Sequence, residues 1–281
     1  MNSSFKTGKV ILAGAGPGDP ELLTIKTARF LQKADVVLVD RLVSQQIIAN
    51  YTSADAEIIY VGKQCRRGIS TPQQTINELM VEKALLGKLV VRLKGGDVSI
   101  FSNILDELET LAANDIPFEI VPGVTAALGA AAFAGIPLTA RGYATSVRFL
   151  TSYKSDIVTE EYWKELAATN DTLVFYMSSE TILDVVEKLT QHHIHEEKLM
   201  AVIEQATTSL QNVHIENLYD FKRKDCEPSF ISPTLIIIGR VVALHENFKW
   251  LENNATKNYY FKPLNNQLIL NNQPEKITHV S

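Results

Sequence analysis

Residues 9–40 read KVILAGAGPGDPELLTIKTARFLQKADVVLVD. The first eight form an aliphatic run closing on glycines, the pattern of a strand buried on both faces. ELLTIKTARFLQKA (21–34) then places its apolar residues at helical spacing, and DVVLVD (35–40) is a second short strand. Strand, helix and strand in this order commit neighbouring strands to run parallel, because a crossover helix returns the chain to the same edge.

The alternation continues downstream. AEIIYVG (56–62), KLVVRLKGGD (88–97) and PFEIVPG (117–123) read as strands. STPQQTINELMVEKALLG (70–87), SNILDELETLAAND (102–115) and VTAALGAAAFAG (124–135) read as helices, the first with Ser70 or Thr71 as its cap. A mainly parallel sheet covered on both faces is expected over residues 1–140. From Arg141 the ratio changes. SVRFLTSY, DTLVFYM, LMAVIEQAT, QNVHIENLYDF and SPTLIIIGRVVAL are five strands, with one clear helix, SSETILDVVEKLTQHH, between the second and third. A mixed-sheet second domain over 141–250 follows, and the polar stretch 251–281 is expected to be a mobile tail.

Bulk properties narrow the function. The chain has 281 residues, 46% hydrophobic and 21% charged, as a globular protein does. A net charge of −5 argues against a general nucleic-acid binder. The two cysteines, Cys65 and Cys226, have no metal-site spacing. No apolar run approaches the roughly 18 residues of a membrane span, and the opening residues lack a signal-like segment. A cytoplasmic protein with no membrane partner is the expectation.

Two loops carry the chemistry. GAGPGD (14–19) lies between strand and helix, but its glycines miss the G-x-G-x-x-G spacing of a dinucleotide site. Asp19 stands where the third glycine would be, and a carboxylate there repels a pyrophosphate. GGD (95–97) repeats the theme, glycines admitting backbone to a ligand beside an acid. A ligand with hydroxyls, an amine or positive charge but no phosphate suits both loops, and S-adenosylmethionine is one. A purely structural turn and a nicotinamide or flavin site remain open on these residues alone.

GAGPGDPELLTIKTARFLQKADVVLVDRLVS, VGK, VVRLKGGD, IPFEIVPGVTAA, AGIPLTARGYATSV and SPTLIIIGRVVAL together resemble the uroporphyrinogen-III C-methyltransferases of the tetrapyrrole methylase family, from about Val10 to Trp250. The resemblance implies two α/β domains with the cofactor in the cleft between them, in a homodimer. It implies S-adenosylmethionine-dependent C-methylation of uroporphyrinogen III to precorrin-2, leading to sirohaem and cobalamin-type corrinoids, with S-adenosylhomocysteine as product. The implied cofactor residues are Pro17, Gly95, Gly96, Asp97, Ile100, Thr125, Ala126, Met177 and Ala206. Asp40 and Lys63 match the family's proton acceptor and donor, although a helix cap or an Arg41 partner would also account for Asp40. The substrate's carboxylates call for arginines, for which Arg41, Arg66, Arg67 and Arg141 are candidates, with Lys94 and Arg148 near them in sequence. No metal is implied. The alternatives are a methyltransferase for another tetrapyrrole intermediate and, from a different class, a nucleotide-dependent oxidoreductase or binding module.

The chain departs from the family pattern at GDVSIFSNILDE (96–107), where G-D-P-F-I-F-G-R-G-G-E-E is usual. Val98 and Ser99 replace proline and phenylalanine, Asn103 replaces arginine, and Ile104 and Leu105 replace two glycines. Tyr153 stands at a histidine position, and GKQCRRGIST lacks another histidine. These changes fall on the side expected to meet substrate.

Overall fold

The computed structural model describes residues 7–64, 69–151, 159–176, 181–222 and 230–261. They divide into two compact units, one of residues 7–15, 23–64, 69–123 and 261, the other of residues 16–22, 124–151, 159–176, 181–222 and 230–260. The loop 16–22 and the helix after Gly123 therefore group with the second unit, whereas the sequence places both before a boundary at residue 140.

The first unit holds β1 (Lys9–Gly14), α1 (Ile25–Leu31), β2 (Val36–Val39), α2 (Gln45–Tyr51), β3 (Glu57–Tyr60), the two-residue strands β4 (Lys63–Gln64) and β5 (Ile69–Ser70), α3 (Gln73–Leu85), β6 (Leu89–Lys94), α4 (Ile104–Ala113) and β7 (Phe118–Val121). Its main sheet has the order β3-β2-β6-β1-β7. Every pairing in it is parallel. Alternation along the strands divides the core into two layers. Ile11, Ala13, Val37, Val39, Val91 and Leu93 pack with Leu31 of α1 and Ile47 of α2. Val10, Leu12, Val36, Leu38 and Val90 pack with Ile76, Met80 and Ala84 of α3 and Leu111 of α4. α1 is shorter than its apolar periodicity suggests, because Thr24 caps it by accepting from the Thr27 N–H at 3.2 Å. The cap position of α3 is Pro72, not Ser70 or Thr71, and the helix begins at the residue after it.

Two positions of β6 on the α3/α4 face break the apolar pattern. Arg92 and Lys94 point where Val90 points, into the layer under α4, and each is 4% exposed. Glu107 of α4, 0% exposed, accepts from Arg92 Nε at 3.0 Å and from Lys94 Nζ at 2.6 Å. Two cations share one buried carboxylate. Burial pushes the Lys94 ammonium below its usual range, and Arg92 adds to this, while Glu107 and Asp40 oppose it.

The second unit holds α5 (Ala126–Phe133), β8 (Val147–Thr151), α6 (Glu160–Ala168), β9 (Thr172–Tyr176), α7 (Ile182–Gln191), β10 (Leu199–Glu204), β11 (Asn212–Asn217), α8 (Leu218–Lys222), β12 (Thr234–Gly239) and α9 (His245–Phe248). Its sheet order is β11-β10-β12-β9-β8. β8 and β9 run parallel and the other pairs antiparallel, so the sheet is mixed. Trp163 and Leu166 of α6, Val185 and Leu189 of α7 and Phe221 of α8 cover one face, over Phe175, Val202 and Ile236. α6 and α8 were not expected from the sequence. LYDF leaves the strand because Asn217 Oδ1 takes the Tyr219 N–H at 2.9 Å and so starts a helical turn.

Residues 251–260 differ from the mobile tail expected of them. Asn253 accepts the Val213 N–H at 2.8 Å and donates to the Val213 carbonyl at 2.9 Å. The carboxamide thus occupies the free edge of β11 as a neighbouring strand would.

Removing the shared carboxylate isolates two buried cations. Glu107→Ala is expected to destabilise the chain by about 3–5 kcal/mol, with Glu107→Gln intermediate, measured as a lowered urea midpoint.

Candidate active site

In the first unit the ends of β1, β6 and β7 converge with no side chain between them. A Cβ on Gly14 would stand 2.6 Å from the Gly96 carbonyl oxygen and 2.7 Å from Gly123 Cα. Gly96 also needs φ of +68°, which a side chain would disfavour. The glycines of the first two loops are therefore required by backbone packing as well as by any ligand.

Asp97 locks this meeting point. Its Oδ1 accepts the Ser99 N–H at 2.8 Å and the Ser99 hydroxyl at 2.5 Å, and its Oδ2 accepts the Gly123 N–H at 2.8 Å. Burial alone would raise the Asp97 pKa, but hydrogen bonds from Ser99, Gly123 and the Val98 amide outweigh it and hold the carboxyl below its usual range. Ser99, one of the departures from the family pattern, supplies two of those donors. Asp97 thus spends most of its accepting capacity on its own loops. Gly95 packs against Leu42, Ile100 is half-buried beside the loop, and Val98 is buried.

Asp40 is the residue after β2, held by its N–H on the Leu93 carbonyl at 3.0 Å and by its own carbonyl on the Val43 N–H at 3.2 Å. It continues the register in which Val39 pairs with Leu93, so it flanks Lys94. The Asp40 side chain is half-buried, as is that of Arg41. Lys63 lies in β4, its backbone paired with Ser70 of β5. Arg66, Arg67, Met177 and Tyr153, with both cysteines, lie outside the described residues. Lys94 is taken up by Glu107 in the core. Arg148 pairs with Glu165 at 2.6 Å and Asp171 at 2.5 Å. Lys94 is thereby withdrawn from any substrate carboxylate, and Arg148 already carries two carboxylate partners. Arg141 is exposed in the turn closed by the Ala140–Ala144 bridge.

In the second unit three loops meet. The Asp19 N–H donates to Thr207 Oγ1 at 3.1 Å, while Asp19 Oδ1 accepts the Glu21 N–H at 2.9 Å. A Cβ on Gly129 of α5 would lie 2.5 Å from Pro17 Cγ and 2.9 Å from Thr207 Cγ2. Pro17, the first turns of α5 and the loop after β10 are therefore in direct contact. Thr125, the cap residue of α5, shares a 2.7 Å hydrogen bond with the Tyr176 hydroxyl, which also accepts the Ala127 N–H at 3.1 Å. Ala126 is half-buried beside it. Ala206 is 8% exposed and lies between Gln205, φ +48°, and Thr207, φ +66°. Left-handed backbone at two residues with β-carbons, one of them β-branched, costs on the order of 1–3 kcal/mol each. Such strain persists where surrounding contacts over-determine it. Here Gln211 Oε1 takes the Thr207 N–H at 2.7 Å, and its amide reaches the Phe133 carbonyl at 3.3 Å. Among the described residues no group of three His, Cys, Asp or Glu side chains could hold a metal ion, and no helix is long and apolar enough to cross a membrane.

The contacts of Tyr176, Gln205 and Gln211 have no local sequence signal. Tyr176 meets the start of α5, Gln205 the residues 258–260 and Gln211 the end of α5, each far away in sequence.

The family model for tetrapyrrole (corrin/porphyrin) methylases matches residues 9–222. The chain belongs to the tetrapyrrole methylase family. Among curated relatives, a siroheme synthase of Pseudomonas fluorescens (strain Pf0-1) is 49% identical over 246 residues, 88% of this chain and 53% of the relative. The chain thus spans about half the length of the curated relatives it matches. Among solved structures, the uroporphyrin-III C-methyltransferase of Thermus thermophilus complexed with S-adenosyl homocysteine is 32% identical. It superposes with a TM-score of 0.69 over 84% of this chain and 93% of that one. A cobalt precorrin-4 methyltransferase is 29% identical with a TM-score of 0.70, over 83% of this chain and 95% of that one. A parallel five-stranded sheet followed by a mixed one is thus the methylase architecture in this chain.

Because the folded Asp97 carboxyl has a lowered pKa, its contribution to stability is complete above the unfolded value and disappears as pH falls through the folded one. Asp97→Asn is expected to flatten the acid limb of the stability–pH curve, read from thermal melts between pH 7 and 3.

Proposed function

We propose that the chain transfers methyl groups from S-adenosylmethionine to carbon atoms of uroporphyrinogen III, forming precorrin-2 and S-adenosylhomocysteine, in sirohaem and corrinoid formation. The observation that carries this is the match to the Thermus thermophilus enzyme over nearly its whole length, together with that protein's bound S-adenosyl homocysteine. The siroheme synthase relatives agree with it over about half of their length. We further propose that the protein acts as a homodimer in the cytoplasm.

The residues fit such a cofactor. Ala126 and Ala206 carry only methyl groups, so the backbone of the α5 turn and of the strained loop stays approachable. We assign Pro17, Thr125, Ala126, Met177 and Ala206, with Gly95, Gly96, Asp97 and Ile100, to holding it. Asp97 contributes by fixing the loop, since its oxygens are engaged by Ser99 and Gly123. When bound, the cofactor supplies a methyl group on a positively charged sulfur.

The tetrapyrrole carbon is itself the nucleophile, so the protein's work is alignment and the handling of one proton per transfer. We assign proton acceptance to the Asp40 carboxylate and proton donation to the Lys63 ammonium. Arg41, Arg66, Arg67 and Arg141 are assigned to the substrate's carboxylates, which arginine grips with paired hydrogen bonds. A second reading, methylation of a different tetrapyrrole intermediate, is favoured by the altered 98–105 segment. There Asn103 replaces an arginine, adopts φ of +53° and precedes α4 with no side-chain cap bond.

Incubation with uroporphyrinogen III and methyl-labelled cofactor is expected to add two labelled methyls to the product by mass analysis. Label transfer only to a different tetrapyrrole would favour the second reading, and no transfer to any would refute both. Asp40→Asn and Lys63→Ala are each expected to slow turnover by about 100-fold, with S-adenosylhomocysteine affinity unchanged by calorimetry. Wild-type turnover in both would remove these roles.

A further inference from the structure

The segment after α9 lies across the loop that carries Ala206. Gln205 is fully buried, and all of its amide hydrogen-bonding is directed at this arrangement. Its Nε2 donates to the Leu210 carbonyl at 3.3 Å and the Asn258 carbonyl at 3.0 Å, while its Oε1 accepts the Tyr260 N–H at 2.7 Å. The same segment is fastened at three further points. Trp250 packs on Phe133 of α5 with ring centroids 5.3 Å apart, and its indole N–H reaches the Ala132 carbonyl at 2.9 Å. Asn253 pairs with both backbone groups of Val213, and Asn254 Nδ2 donates to the Ser209 carbonyl at 2.9 Å. The contacts thus reach the end of α5, the loop 205–210 and the edge of β11.

A left-handed residue with a β-carbon relaxes toward extended or helical backbone unless something holds it. Gln205 is such a residue, and what holds its side chain is the segment 258–260. We propose that residues 250–260 form a positioning strap, latched by Gln205, that keeps the Gln205–Thr207 backbone in its cofactor-binding shape. This rests on the assignment of Ala206 to the cofactor made above. Gln205 is a positioning residue: its amide is wholly engaged inside the second unit and acts through the backbone of Ala206.

Three full-length variants test it. Gln205→Leu removes the latch. Tyr260→Pro deletes the N–H that Gln205 accepts, and Asn253→Ala frees the strap from β11. The last two leave the loop's own sequence intact and carry the test even where Gln205→Leu does not fold. Calorimetric titration with S-adenosylhomocysteine well below the melting temperature is expected to show Kd raised about tenfold in Gln205→Leu and Tyr260→Pro, and severalfold in Asn253→Ala. KM for S-adenosylmethionine should rise in parallel with kcat little changed. Affinity equal to the parent's, with only the melting temperature lowered, would reduce the strap to a stabilising element and overturn the proposal. A parent chain that itself fails to bind S-adenosylhomocysteine would overturn the functional reading and the strap with it.

Discussion

Where β1, β6 and β7 end, three stretches of backbone touch with no side chain between them. Gly14, Gly96 and Gly123 come close enough that a methyl group on Gly14 would collide with both of the others. Such an approach leaves amides without room for water, and one carboxylate answers that need by accepting the Gly123 N–H. Asp97 therefore joins the ends of two strands that are separated in sequence by the whole of α4. The loops that follow β6 and β7 are held together by it. Hydrogen bonds that favour the charged form override the burial that opposes it, so the joint is an ionised one at neutral pH.

The same unit contains a second concession to charge. Arg92 and Lys94 occupy positions that the strand alternation gives to aliphatic residues, and Glu107 neutralises both from α4. Burying ions rarely adds net stability over an apolar replacement, yet breaking such a cluster is costly. Its effect is to fix where α4 sits over β6. That helix begins where the chain departs from the family pattern, so the altered 98–105 segment is anchored downstream by an acid the family also has. The acidic pair Asp106–Glu107 is what this chain keeps of the family pattern there, and its second member belongs to the core.

In the second unit the organising feature is strain and not charge. Gln205 and Thr207 hold left-handed backbone around Ala206, and the neighbours that maintain it come from α5, from the loop 16–19 and from the residues after α9. Strained backbone of this kind is found where a binding loop has to present itself in one shape. The polar character of residues 251–260 disguises their role. Asparagines that look like a solvated tail are there to pair with backbone groups, the one task at which a carboxamide matches a strand.

Local pattern was sufficient for much of this protein. Aliphatic runs closing on glycine and helices at helical spacing located all five strands of the first sheet and all five of the second, and the motifs from Val10 to Trp250 carried the family. Hydrophobic alternation is a property of neighbouring residues, which is why it could be read directly. The partners of the polar groups were decided by the tertiary structure alone. Asp97 meets Gly123 across 26 residues, and Gln205 meets Asn258 and Tyr260 across 53 and 55. Those pairings depend on strand order and on how loops close, and a chain read residue by residue contains neither. The aspartate that reads as a ligand acceptor also joins two loops, and residues 251–260, which read as loose, hold a strained turn, because buried polar groups must find partners wherever the fold brings them.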